Sequence, residues 1–214
     1  MTTKLFWKDP YLTTFETVVE SVAGNSITLR ETIFFAFSGG QESDTGTIGS
    51  HPVIEARKSG LGILYVLPEG HELKPGDRVG IEIDWGRRYR LMRLHFAAEL
   101  ILELVYRELD NVEKIGAHMS PDKARIDFHW TENISSLFPK LISQAQFLID
   151  QDLEIISAYS DEGSQQRYWE IPAFTRVPCG GTHLKCTGEV GKIALKRKNI
   201  GKGKERIEVY AVEK

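Results

Sequence analysis

The hydrophobic pattern of this 214-residue chain changes its period near Trp85-Gly-Arg-Arg88, and that change limits what the chain can fold into. Up to about residue 85 it reads as β-rich. Thr13 to Glu20 and Ser26 to Ile33 are runs of β-branched and aromatic residues parted by Ala23-Gly-Asn25, the pattern of a hairpin. Ile63 to Leu67 and Val79 to Asp84 look like further strands, and Pro68-Glu-Gly70 and Lys74-Pro-Gly-Asp77 between them carry turn chemistry. Several short strands with tight turns suggest a small β-barrel. From residue 90 to 109 apolar side chains recur at helical spacing instead: Leu91, Leu94, Ala98, Ile101, Leu102, Val105 and Leu109. A second helix is predicted from about Pro139 to Asp150, because proline is tolerated only in the first turn. Strands are predicted at Leu153 to Ala158, Arg167 to Ile171, Lys192 to Arg197 and Arg206 to Val212. Helices against an antiparallel sheet make this half α+β.

Composition excludes several classes. With 41% hydrophobic and 27% charged residues, disorder is not expected. No apolar run approaches the roughly 20 residues that span a bilayer, and the N-terminus lacks an apolar signal core. The expectation is a cytoplasmic protein with no membrane association. Two cysteines, Cys179 and Cys186, cannot make a disulfide framework. Net charge is −3, yet Lys185 to Arg206 holds eight Lys/Arg against Glu189 and Glu205. That basic stretch fits either a polyanion partner or a solvated, lysine-rich hairpin.

Two distant clusters read as halves of one metal site. His95-Phe-Ala-Ala-Glu99 places two donors on one helix face, one turn apart. Cys179-Gly-Gly-Thr-His183 follows Pro178, and its two glycines let a loop bend until thiolate and imidazole converge. His95, Glu99, Cys179 and His183 supply a full tetrahedral set for one Zn²⁺ per chain. Taken singly, the His95/Glu99 half is more often a surface ion pair. Cys186 is expected to pack in the core as a small apolar side chain.

Five ordered segments carry a resemblance. Glu31-Thr-Ile-Phe-Phe35, Gly39-Gly-Gln-Glu-Ser-Asp-Thr-Gly-Thr-Ile48, Met92-Arg-Leu-His95, Gly116-Ala-His118 through Arg125-Ile-Asp-Phe128, and Cys179-Gly-Gly-Thr-His183 followed by Thr187-Gly-Glu-Val-Gly191 resemble the signatures of the alanyl-tRNA trans-editing (AlaX) proteins. They also resemble the editing domain of alanyl-tRNA synthetase. The resemblance covers nearly the whole chain, and the length is similar to the medium-sized form. It implies a glycine-rich barrel over residues 1–88 and a zinc-binding editing domain over 89–214. It further implies an aminoacyl-tRNA deacylase that removes serine, and glycine in some relatives, from the acceptor end of mischarged tRNA(Ala).

By the same resemblance Thr32 would read the serine hydroxyl and Gln41 would lie near the scissile bond, while Asp44 is expected to hold its loop through backbone hydrogen bonds. Arg87, Arg88, Lys196, Arg197, Lys202 and Lys204 are the candidate phosphate contacts. Glu99 departs from the family pattern, which has histidine there. It could ligate zinc, act as a general base on water, or mark a weakened or lost metal site. The rival readings are editing of another aminoacyl-tRNA and a non-catalytic tRNA-binding or structural-zinc module.

Overall fold

The change of period is a helix start. Asp84 Oδ1 accepts the Arg87 amide at 3.0 Å, and helix α1 runs Trp85–Glu108, five residues earlier than the apolar spacing alone predicts. The first turn is held by aromatic contacts, with the Trp85 ring 5.3 Å from both Tyr11 and Tyr89. In this computed structural model, which describes residues 2–212, the chain divides into two units. One comprises Met1–Ser38 and Glu42–Tyr89; the other comprises Gly39–Gln41 and Arg90–Lys214.

The first unit contains β1 (Thr3–Lys4), β2 (Thr14–Ala23), β3 (Ser26–Leu29), β4 (Glu31–Thr32), β5 (Gly46–Ile48), β6 (His51–Pro52), β7 (Glu55–Ser59), β8 (Gly62–Val66) and β9 (Arg78–Ile83). Seven of these form a curled, half-barrel sheet in the order β6-β5-β9-β2-β3-β8-β7, and its neighbours pair antiparallel. β1 and β4 pair parallel beside it. Alternation sets the inner face: Val79, Ile81 and Ile83 are buried along β9, Ile63 and Tyr65 along β8. They meet Ile33, Phe34 and Phe35 in one core. The sequence reading anticipated the longer strands but not β1, β5, β6 or β7, which are short or charged.

The second unit contains most of α1, then β10 (Glu113–Met119), β11 (Ala124–His129), α2 (Phe138–Asp150), β12 (Ile156–Asp161), β13 (Gln166–Ile171), β14 (Thr175–Pro178), β15 (Ile193–Gly201) and β16 (Lys204–Ala211). Two antiparallel sheets form rather than one, ordered β10-β11-β16-β15 and β12-β13-β14. From Leu91 to Val105 nearly every apolar side chain of α1 is buried. α2 begins with Pro139 in its first turn and buries Leu141, Ala145 and Ile149 in a single stripe. Cys186 does not enter the core. It is half-buried and caps the 3₁₀ turn Thr187–Val190, with Glu189 reaching back to its amide at 3.2 Å. Among the described residues, no helix is long and apolar enough to cross a membrane.

Candidate metal centre

Three elements of the second unit deliver the site. α1 carries His95 and Glu99 one turn apart. The β13–β14 hairpin leads into Cys179, whose amide donates to Arg167 O at 2.9 Å. The segment Gly180 to Thr182 then turns His183 back. Gly181 is needed for a close approach: a Cβ there would stand 2.1 Å from His95 Cε1 and 2.7 Å from Gln41 Oε1. Gln41 arrives on the excursion Gly39–Gln41. Gly40 sits at φ +88, and a Cβ there would lie 2.5 Å from Ala117 O. The Met119 amide donates to Gly40 O at 2.8 Å, which holds the excursion against β10.

His95, Cys179 and His183 converge, with their ligand atoms all within 4.8 Å of one another. Cys179 Sγ lies 3.4 Å from His95 Nε2 and 3.3 Å from His183 Nε2, so the sulfur sits between two imidazoles. Glu99 is not one of the three. Its Oε1 stands 3.5 Å from His95 Nε2, and its Oε2 accepts the Trp169 indole N–H at 2.6 Å. Ser157 Oγ lies 3.1 Å from His183 Nδ1, which leaves Nε2 directed at the sulfur. Gln41, fully buried, donates to Thr182 Oγ1 at 2.8 Å and accepts the Thr182 amide at 3.1 Å. Ser157, Trp169 and Thr182 were not found from sequence. A buried tryptophan's need for a hydrogen-bond acceptor was the available signal, but nothing in sequence names Glu99 as that acceptor.

The electrostatics follow from burial and pairing. Burial opposes charge on Cys179, His95 and Glu99, and their attraction to neighbouring groups overcomes it. For Cys179 desolvation works upward, but the His95 and His183 rings pull the thiol down to about 6. For His95 desolvation works downward, yet the facing Cys179 sulfur and Glu99 carboxylate raise it. For Glu99 burial is outweighed by His95 and by the Trp169 hydrogen bond, so its carboxyl lies low. Two buried imidazole nitrogens and a half-buried thiolate that converge are the donor chemistry of zinc rather than of a hard, oxygen-seeking cation. The residues present therefore fit the metal that the sequence suggests.

Thr32 is fully buried in the first unit. Its hydroxyl is 2.7 Å from Tyr65 Oη and accepts the Phe34 amide at 3.0 Å. Asp44 holds its loop as expected, accepting the Phe35 amide at 2.6 Å. Arg87 bonds Glu42 Oε2 at 2.6 Å and Ser43 O at 3.0 Å. Arg88 corrects an expectation. It is fully buried, with Nε on Asp44 Oδ1 at 2.7 Å, Nη1 on Pro10 O and Nη2 on Ile33 O and Asp44 Oδ2. A guanidinium so engaged holds the fold and offers nothing to a phosphate. On the β15–β16 hairpin, Arg197 bonds Glu205 through two nitrogens, and Lys196 lies over the Tyr210 ring at 4.9 Å. Lys202 and Lys204 stand exposed at the hairpin turn.

The chain is similar to known proteins along nearly its whole length. Residues 169–208 match the family described as the threonyl and alanyl tRNA synthetase second additional domain. The chain is 37% identical to the alanyl-tRNA editing protein AlaX-M of Pyrococcus horikoshii, covering 98% of each chain. It is 34% identical to AlaX-M of Saccharolobus solfataricus over 97% of this chain and 98% of that one. The alanine–tRNA ligase of Sulfurisphaera tokodaii is 33% identical over 94% of this chain, which spans 25% of the ligase. Full-length likeness at this level makes the chain a member of the alanyl-tRNA editing protein AlaX-M family.

Proposed function

We propose that this protein is an aminoacyl-tRNA deacylase that acts in trans on tRNA(Ala) charged with the wrong amino acid, serine first and glycine second. The observation that carries this reading is the convergence of His95, Cys179 and His183 within 4.8 Å beside the buried amide of Gln41. His95, Cys179 and His183 would hold Zn²⁺, with Glu99 as the candidate fourth donor. The metal, when bound, supplies a Lewis acid that can orient or polarise the ester. Three protein donors leave a position open, whereas four close the set. Glu99 is therefore the residue on which this site's chemistry turns.

The protein's own groups supply the rest. Ser157 holds the His183 ring through Nδ1, so that Nε2 faces Cys179. Gln41, clasped by Thr182, presents a fixed amide beside His95. Thr32, as the resemblance implies, would read the serine hydroxyl by exchanging its bond to Tyr65 for one to substrate. Alanine lacks that hydroxyl and would leave a buried polar group unpaired, which can separate the two substrates by up to about 10⁴-fold. Arg87, Lys196, Arg197, Lys202 and Lys204 are the proposed phosphate contacts.

The test is deacylation of Ser-, Gly- and Ala-tRNA(Ala) by zinc-replete protein. Rapid loss of serine with alanine retained supports the reading. Loss of neither, with tRNA still bound, would favour a non-catalytic binding module in which Glu99 stands in place of the family's histidine.

A further inference from the structure

The donor groups form one continuous row: Ser157 Oγ, His183, Cys179 Sγ, His95, Glu99 and Trp169 Nε1, linked in turn by separations of 3.1, 3.3, 3.4, 3.5 and 2.6 Å. Its two ends meet. Ser157 on β12 and Trp169 on β13 are direct cross-strand partners. Both ends of the row are thus fastened to one rung of one antiparallel ladder.

We propose that this rung, and Trp169 above all, is a positioning device that makes the unusual carboxylate of Glu99 a preorganised donor towards the metal position. A glutamate has three rotatable side-chain bonds and costs entropy to hold still. Here its two oxygens are used differently. Oε2 takes the indole N–H at 2.6 Å, and Oε1 is left beside His95 Nε2 at 3.5 Å. The indole is well fixed for the task. Trp169 is fully buried, packs edge to face on Phe96 at 5.0 Å, and lies in the central strand of its sheet. Two residues before it, Arg167 O holds the Cys179 amide, so one strand registers both the sulfur and the carboxylate. A histidine at position 99 would bring a stiffer ring; the longer carboxylate depends on an outer partner, and Trp169 supplies one.

This inference rests on the metal reading above, and its test separates the two. Purified protein is titrated with Co²⁺ and with Zn²⁺ against a chromophoric chelator, and the Co²⁺ visible spectrum is recorded. Wild type should show a thiolate-to-cobalt band. Trp169→Phe keeps an aromatic ring against Phe96 and removes the N–H. It should weaken both metals by about 10- to 100-fold, the usual effect of losing an outer partner, and alter the ligand-field bands. In a Glu99→Ala background Trp169→Phe should add less than about twofold, because nothing remains to be positioned. An equal loss in that background would make Trp169 a core residue only and overturn the proposal, as would an unchanged affinity and spectrum in the single variant. No thiolate band in wild type would overturn the metal reading and this proposal with it.

Discussion

The molecule buries two ionic clusters, and they are built in opposite ways. In the first unit, Arg88 and Asp44 are both fully buried, and every donor described for the guanidinium has an acceptor: the two carboxylate oxygens, Pro10 O and Ile33 O. Asp44 also takes the Phe35 amide. In the second unit the row from His183 to Glu99 is less complete. His95 Nε2 faces both a sulfur and a carboxylate, and its other nitrogen, Nδ1, is buried with no hydrogen-bond partner. A satisfied network fixes one arrangement, whereas a partly satisfied one is costly and frequently marks a site with another task. The first cluster therefore serves the fold, and the second brings together a donor set that could hold a metal ion.

The largest effect that would break this comparison is at the sulfur. Cys179→Ser removes the atom that two imidazoles share. We expect bound zinc to fall from one per chain to near none, and deacylation to fall by more than the roughly 10- to 100-fold that removing an outer partner costs. Metal analysis and Ser-tRNA(Ala) turnover check both. Full activity in a zinc-free variant would dissolve the distinction between the clusters.

Arg88→Met should do the reverse. It strands the Asp44 carboxylate inside the first unit, a change that costs about 3–5 kcal/mol. Urea unfolding should register that drop in stability, while zinc affinity of the folded protein stays as in wild type. The double variant with Asp44→Leu should recover part of the stability, because it removes the stranded charge but leaves the Phe35 amide without its acceptor. A metal defect in Arg88→Met would show that the two clusters are not separable.

Acid sharpens the contrast further. In metal-free protein the Cys179 thiol, resisted by burial but pulled down by His95 and His183, lies near 6, while Cys186 is raised, chiefly by burial. Proton uptake at Cys179 favours the unfolded chain. Its stabilising contribution is complete above the ordinary thiol value and is lost as pH falls through about 6. Alkylation by iodoacetamide should accordingly modify Cys179 from about pH 6 upward and Cys186 only in alkali. Added zinc should slow the first reaction alone. A shared alkaline inflection for both cysteines would remove the electrostatic account of the site.

What sequence could reveal divides along physical lines. Helix α1 and the Cys179 to His183 loop were legible because periodicity and glycine placement are local signals. The hairpin of β10 and β11 was not. Asp127 is buried within β11 and paired with Arg206 and Arg125, which spoils the alternation, and β10 carries a register shift between Lys114 and Gly116. The same limit applies to the site. The metal-ligating residue types sit in short motifs, whereas the Glu99 to Trp169 bond joins positions 70 residues apart and only the fold pairs them. Arg88 misled for a related reason, since two adjacent arginines at a junction read as surface until the carbonyls around one are seen.

The smallest expected effect concerns the basic hairpin, where paired and unpaired cations can be told apart. Arg197, though a proposed phosphate contact, also bonds Glu205, a carboxylate that is 2% exposed and further bonded by Asn199 Nδ2 at 2.8 Å. Reversing Arg197 would place two carboxylates together and test the fold more than the surface. Lys202 and Lys204 are exposed at the turn and have no ion pair described, so their charge is available to a polyanion. Lys202→Glu with Lys204→Glu should raise KM for aminoacyl-tRNA severalfold at low salt and leave kcat unchanged. The slope of log affinity against log salt should become shallower by about 1 for each phosphate no longer neutralised. If the double reversal leaves both KM and the salt slope as in wild type, the hairpin is a solvated, lysine-rich turn, and the substrate's phosphates are held by another face of the protein.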